Sequence, residues 1–236
     1  MARQAEGQAA YKMRSLESED RVAAELRGFG PLGILAIIVI LLGNAIVIPL
    51  SAVLVLVWVL RSHTPWSEIG YVRPRSWPRT ILLGIAFGIA LKLLMKSIVM
   101  PLFGAPAINP AFHYLAGNRA ALPAAMLAVI VGAGFGEETV FRGYMFERFR
   151  KLFGTSFWAR VLIVLVTTAW FALDHYPLQG LAGVEQAMVT GLVFGTIVAL
   201  TGQIWIPMLA HAAFDVTAVA IIYWNVESSV AHLIFK

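Results

Sequence analysis

Glu137, Glu138, His175, His211 and Asp215 are ionisable side chains set within or at the ends of apolar runs. A charged group inside a membrane segment costs on the order of 2.5–3.5 kcal/mol on insertion scales, so each of them calls for a reason. Spacing supplies one. Glu138 and Arg142 stand four apart, as do Phe171 and His175, and His211 and Asp215; on a helix each pair shares a face, one turn apart. Such a set can activate water. A carboxylate in a partly dry cavity is a stronger base than one in bulk solvent. A histidine can orient the water, because one ring nitrogen donates while the other accepts, and a second histidine can donate to the tetrahedral oxyanion. Glutamate with two histidines also matches the ligand types of catalytic zinc. No His-Glu-x-x-His element occurs, however, and the histidines lie on different helical segments, so spacing alone argues only weakly for a metal.

The elements that must position these groups are helices in a membrane. Hydrophobic residues make up 59% of the 236 positions and charged residues 13%, with a mean hydropathy of +0.78. Soluble domains average roughly half apolar and about a quarter charged, so this chain lacks the polar surface of a water-facing globule. The expected fold is all-α: a polytopic transmembrane bundle of six to seven spans, or eight, around an intramembrane cavity. Residues 1–27 form a polar tail with five basic and five acidic side chains, and Ala9–Leu26 could be a surface helix. Residues 28–236 form a single membrane domain. Its first apolar run lies between Arg27 and Arg61 and fits either one helix kinked at Pro49 or a hairpin near Gly43-Asn44. Further spans are expected at Thr80–Phe103, Ala120–Gly136, Trp158–Leu173, Val184–Thr201 and Ile204–Trp224, with a charged helix from Glu137 to Lys151. Small-residue spacings at Gly84/Gly88 and Gly191/Gly195 allow close helix approach.

With no cysteine in the chain, disulfides, thiolate metal sites and cysteine catalysis are excluded. The net charge of +5 is spread over loops, which suits lipid headgroups and gives no nucleic-acid footprint. The N-terminus does not read as a cleavable signal peptide, and no Asn-x-Ser/Thr sequon occurs. The most basic short connections, 61–79 and 148–160, lie two spans apart and would both be cytoplasmic, in a bacterial-type inner membrane.

Three stretches, Glu137-Glu138-Thr-Val-Phe-Arg142, Phe171-Ala-Leu-Asp-His175 and His211-Ala-Ala-Phe-Asp215, occur in order on separate helical segments. Together they resemble the EExxxR, FxxxH and HxxxN/D motifs of the CAAX-protease and bacteriocin-processing (CPBP, or ABI) family. The resemblance covers roughly 120–224, and the Glu68-Ile-Gly-Tyr71 stretch is similar to the loop that precedes the family core. It implies an intramembrane endopeptidase whose substrate is a peptide or protein at the bilayer. By motif position, Glu137 would be the general base and His175 would help it activate water. His211 would stabilise the oxyanion beside Asp215, with Glu138, Arg142 and Phe171 in support. The CAAX prenyl proteases carry asparagine where this chain has Asp215. An amide donates to an oxyanion and an ionised carboxylate cannot, so Asp215 would orient His211 or be protonated, and cleavage of prenylated proteins does not carry over directly. Lacking a third histidine in a matching span, the site is expected to work without a cofactor. The alternative is zinc on Glu137, His175 and His211.

Simpler roles compete with these: a solvated helix start at Glu137/Glu138/Arg142, an interfacial histidine at His175, and a hydrogen-bonded pair at His211/Asp215. Asp174 points about 100° away from His175 around the helix. Lys92 and Lys96 would snorkel, line a cavity or pair with a site carboxylate. His63, His113 and His232 receive no role. The same buried groups could instead form a transporter's proton relay or belong to a non-catalytic immunity or scaffold protein.

Overall fold

The computed structural model describes residues 19–47 and 49–235, so the expected helix over 9–26 lies largely outside the described residues. The described residues are helices joined by turns and short loops, with no strand among them. The all-α membrane bundle therefore holds. The chain divides after Pro65 into two compact units.

The smaller unit contains α1 (Glu19–Arg27), α2 (Pro31–Leu42) and α3 (Leu50–Arg61). Helix α2 starts on Pro31, whose fixed φ suits a first turn and whose missing N–H costs nothing there. The axes of α1 and α2 bend by 63°. Between α2 and α3 the chain turns at Gly43-Asn44, and Asn44 exchanges two hydrogen bonds with Ser51, at 2.9 and 3.0 Å. Gly43 is required at this point: a Cβ would lie 2.9 Å from the Ser51 nitrogen. Of the two arrangements the apolar run allowed, the turn near Gly43-Asn44 is the one observed.

The larger unit holds α4 (Trp77–Leu102), α5 (Leu122–Phe153), α6 (Phe157–Asp174), α7 (Tyr176–Thr201), α8 (Trp205–Tyr223) and the short α9 (Glu227–Ala231). Helices α4 to α8 are long and apolar enough to cross a bilayer; the bent α1–α2 pair would make a sixth span. The count of five or six among the described residues lies slightly below the expected six to seven. Helices α2 and α3 are 12 residues each, well short of the ~20 that an upright span requires.

One correction concerns α5. The expected break at Gly136 does not exist: one helix of 32 residues carries both the apolar stretch and the charged one. From Ala128 to Tyr144 it hydrogen-bonds in the wider i→i+5 register, a geometry that occurs mostly as single turns and often at functional sites.

Helix α8 is the centre of the larger unit, with half of its apolar window buried against 28% for α4. Small residues let its neighbours approach. A Cβ on Gly84 would lie 2.7 Å from the Leu209 Cβ, and one on Gly134 would lie 2.7 Å from the Ala212 Cβ. Between α6 and α7, a Cβ on Gly191 would fall 2.8 Å from Thr168. In lipid, where burial of apolar surface drives little helix association, such close contact holds the bundle together. The turn at Trp66–Ile69 and the residues after it strap the outside of α5 and α8. The Gly70 carbonyl accepts from Ile204 N at 3.0 Å, and Trp205 Nε1 donates to the Val72 carbonyl at 2.9 Å.

Candidate active site

The three motifs converge from α5, the α6–α7 junction and α8. Glu138 is fully buried, and its Oε1 accepts from Arg142 Nη1 at 2.9 Å and from His211 Nδ1 at 2.7 Å. The expected Glu138–Arg142 pair is therefore present, and it reaches across to α8. The Arg142 guanidinium also lies 4.2 Å from the centre of the Phe171 ring, which buries its planar face against aromatic carbon. On its other side, His211 Nε2 lies 3.8 Å from Glu137 Oε2 and 3.6 Å from Asp215 Oδ2. Glu137 and Asp215 have side chains 26% and 24% exposed, against 0% for Glu138. The two glutamates thus differ: Glu138 is locked, whereas Glu137 keeps an open side.

His175 caps α6. Its Nδ1 lies 2.8 Å from the Phe171 carbonyl oxygen, which can only accept, so Nδ1 carries the proton and Nε2 is left as an acceptor. Phe171 packs edge-on against His175 at 4.7 Å and against His211 at 5.9 Å between ring centroids. Fully buried, it separates the two imidazoles and fixes both orientations. Asp174 is exposed, as its angle on the helix predicts.

Three further groups also reach this region. Lys92, buried on α4, donates to Gln186 Oε1 on α7 at 2.9 Å and lies 4.5 Å from the centre of the Phe214 ring. Phe194 on α7 stacks at a tilt on His211, 5.4 Å between centroids. Tyr71, in the strap, donates to Thr139 Oγ1 at 2.7 Å, and the Thr139 hydroxyl in turn donates a hydrogen bond to the Phe135 carbonyl. Burial pushes the Tyr71 phenol above its ordinary pKa, against the opposing pull of the Thr139 bond; it stays protonated and holds the strap to α5.

The donor atoms that a metal would need are not gathered. Among the described residues no three His, Asp or Glu side chains converge in a metal-holding geometry.

Every one of the motif residues falls inside the stretch that matches a family model. Residues 119–217 match the family model described as type II CAAX prenyl endopeptidase Rce1-like. The resemblance drawn from the three motifs is thereby shown. An Escherichia coli protein described as an uncharacterized 24.3 kDa protein is 26% identical over 136 residues, covering 50% of this chain and 61% of that relative. The chain thus spans less than two thirds of that protein's length. No solved structure matches the chain. The Rce1-like domain begins three residues before α5 and ends within α8, so it contains all of α6 and α7.

Proposed function

We propose that this protein is an intramembrane endopeptidase in which Glu137 activates a water molecule against a peptide carbonyl. The observation that carries the reading is the asymmetry of the two adjacent glutamates. Each has a buried Oε2 with no hydrogen-bond partner, but Glu138 is pinned through Oε1 by Arg142 and His211 and wholly buried, whereas Glu137 keeps 26% of its side chain exposed and stands only 3.8 Å from His211 Nε2. A partnerless carboxylate oxygen in a dry cleft is suited to accept a proton from water.

The chemistry follows from the placement. Glu137 takes one proton of the water as its oxygen attacks the carbonyl carbon. His175 Nε2, fixed as an acceptor, holds the water's other hydrogen. The carbonyl π bond opens to an oxyanion, which doubly protonated His211 stabilises through Nε2–H while Nδ1–H remains on Glu138. The intermediate then collapses, the C–N bond breaks, and Glu137 returns its proton to the leaving nitrogen. Asp215 holds His211 from the far side. The 61–79 and 148–160 connections face the cytoplasm in this reading, and the substrate is a peptide or protein segment that enters from the bilayer.

The decisive experiment is Glu137→Gln in purified, detergent-solubilised protein, assayed for cleavage of a peptide library by mass spectrometry. Loss of cleavage by roughly 10²–10⁴-fold is expected for removal of a general base, with the unfolding temperature maintained. Wild-type cleavage that survived the substitution would falsify the assignment of Glu137. Chelators should leave the rate unchanged; loss of activity restored by zinc would overturn the metal-free chemistry.

A further inference from the structure

A cavity that none of the reacting groups lines lies in the larger unit. It has a volume of about 260 Å³ and opens between the strap, the start of α6 and the end of α7. Neither Glu137, His175, His211 nor Asp215 lines it. Three arginines do: Arg142, Arg150 and Arg160. Its back wall is apolar, from Ile163 and Val198. The volume far exceeds the ~10–15 Å³ that one water requires.

The arginines are only partly committed. Arg142 Nη2 is buried and has no hydrogen-bond partner, although Nη1 of the same group holds Glu138. Arg150 donates through Nη2 to the Glu68 carbonyl oxygen. Arg160 donates through Nε to the Thr155 carbonyl at 3.1 Å. The Glu68 side chain is the one carboxylate on the cavity wall, set against three guanidinium groups. A buried guanidinium nitrogen without an acceptor is costly, and a planar fork of donors matches a tetrahedral oxyanion better than any neutral ligand.

We propose that this cavity binds a phosphate group, and that its source is the headgroup of an anionic phospholipid. The rim argues for the lipid. Leu200 lines it and Phe157 and Trp158 lie in the chain between two of its lining residues, Thr155 and Arg160, with 76%, 69% and 76% of their surfaces exposed, and all three are at the ends of membrane-crossing helices. Aromatic and aliphatic side chains so placed belong at the boundary between acyl chains and headgroups, where a basic pocket between helices meets anionic lipid. The bound phosphate would touch the same guanidinium that neutralises Glu138, and so would steady the helix that carries both glutamates. The inference stands on this cavity and not on the proteolytic reading.

The test uses the full chain in a neutral detergent, with thermal unfolding followed during titration. The probes are short-chain phosphatidylglycerol, phosphatidylcholine of the same chain length, and inorganic phosphate. Saturable stabilisation by phosphatidylglycerol is expected, with Arg160→Gln raising the half-saturation concentration about tenfold, as for loss of a charge-assisted bond. Arg160→Lys should recover part of it. Stabilisation by inorganic phosphate at equal concentration, sensitive to the same variant, would show a phosphate site and overturn the lipid source. Equal response to phosphatidylcholine, or an Arg160→Gln protein that responds like wild type, would overturn the site itself.

Discussion

Around Glu227, each carboxylate oxygen has a partner. Oε1 accepts from Asn109 N at 2.8 Å and lies 3.7 Å from Lys96 Nζ, while Oε2 lies 3.0 Å from His113 Nδ1. Lys96 in turn donates to the Ala107 carbonyl at 2.5 Å. Around Glu137 and Glu138 the arrangement is different. Glu137 Oε2, Glu138 Oε2 and Arg142 Nη2 are all buried, and among the described residues none has a hydrogen-bond partner. Leaving one such group unmade costs about 1–3 kcal/mol, so the second cluster is held at the expense of stability. The first ties the 104–119 loop to the end of α4 and the start of α9, which is a structural task. The second keeps lone pairs and a donor unused, which is what the proposed reaction would require. Both are buried and charged; completeness separates them.

Exchanging the carboxylates for neutral groups should break the two clusters in opposite ways. Glu137→Gln is expected to abolish cleavage while leaving the unfolding temperature equal or higher, because one uncompensated carboxylate disappears from beside Asp215. Glu227→Ala strands Lys96 and His113. Removing one partner of a buried ionic network costs about 3–5 kcal/mol, so denaturant unfolding should show a large loss of stability. The protein that remains folded should cleave at the wild-type rate per molecule. If Glu227→Ala lost specific activity and kept its stability, the distinction between the clusters would collapse.

The comparison also explains what the sequence could disclose. The Glu138–Arg142, Phe171–His175 and His211–Asp215 pairs are legible because both members lie one helical turn apart, so helix geometry alone brings them together. The Lys96–His113–Glu227 cluster was invisible. Its members lie in separate elements, one of them an irregular loop, and nothing local marks His113 or Glu227 as partners. The continuity of α5 was likewise hidden. Charged residues after Gly136 suggest a change to a water-exposed helix, yet Glu138, Arg142 and Glu147 are all buried. Burial of a charge depends on partners from other helices, and hydropathy does not see them. The 33 uncharged residues from 28 to 60 left two arrangements open, and what decides for the turn at Gly43-Asn44, the Asn44–Ser51 hydrogen bonds, is not visible in hydropathy.

Packing around the open cluster gives a smaller, purely steric test. Gly134 lies on α5, three residues before Glu137, and a Cβ there would stand 2.7 Å from the Ala212 Cβ, beside His211. Gly134→Val should cost about 1–3 kcal/mol by overpacking, and separating α5 from α8 should also stretch the 2.7 Å link between Glu138 and His211. Reduced cleavage together with a lowered unfolding temperature is therefore expected. A variant with full activity and stability would show that α5 and α8 tolerate separation at this point.

The smallest expected effect is at Asp215. His211 is fixed mainly by Glu138, whose oxygen lies 2.7 Å from Nδ1, whereas Asp215 Oδ2 stands 3.6 Å from Nε2. Asp215→Asn keeps the shape and removes the charge. The new amide can either accept from His211 through its oxygen or donate to the oxyanion through its nitrogen. Under the proposed chemistry neither exchange disturbs the base, so kcat should stay within about tenfold of wild type, a change of roughly 1.4 kcal/mol in the barrier. Asp215→Ala, which leaves the Nε2 side of His211 without either group, should fall further. A loss in Asp215→Asn as deep as that in Glu137→Gln would instead make Asp215 the base. The open side of His211 would then belong to α8 rather than to α5.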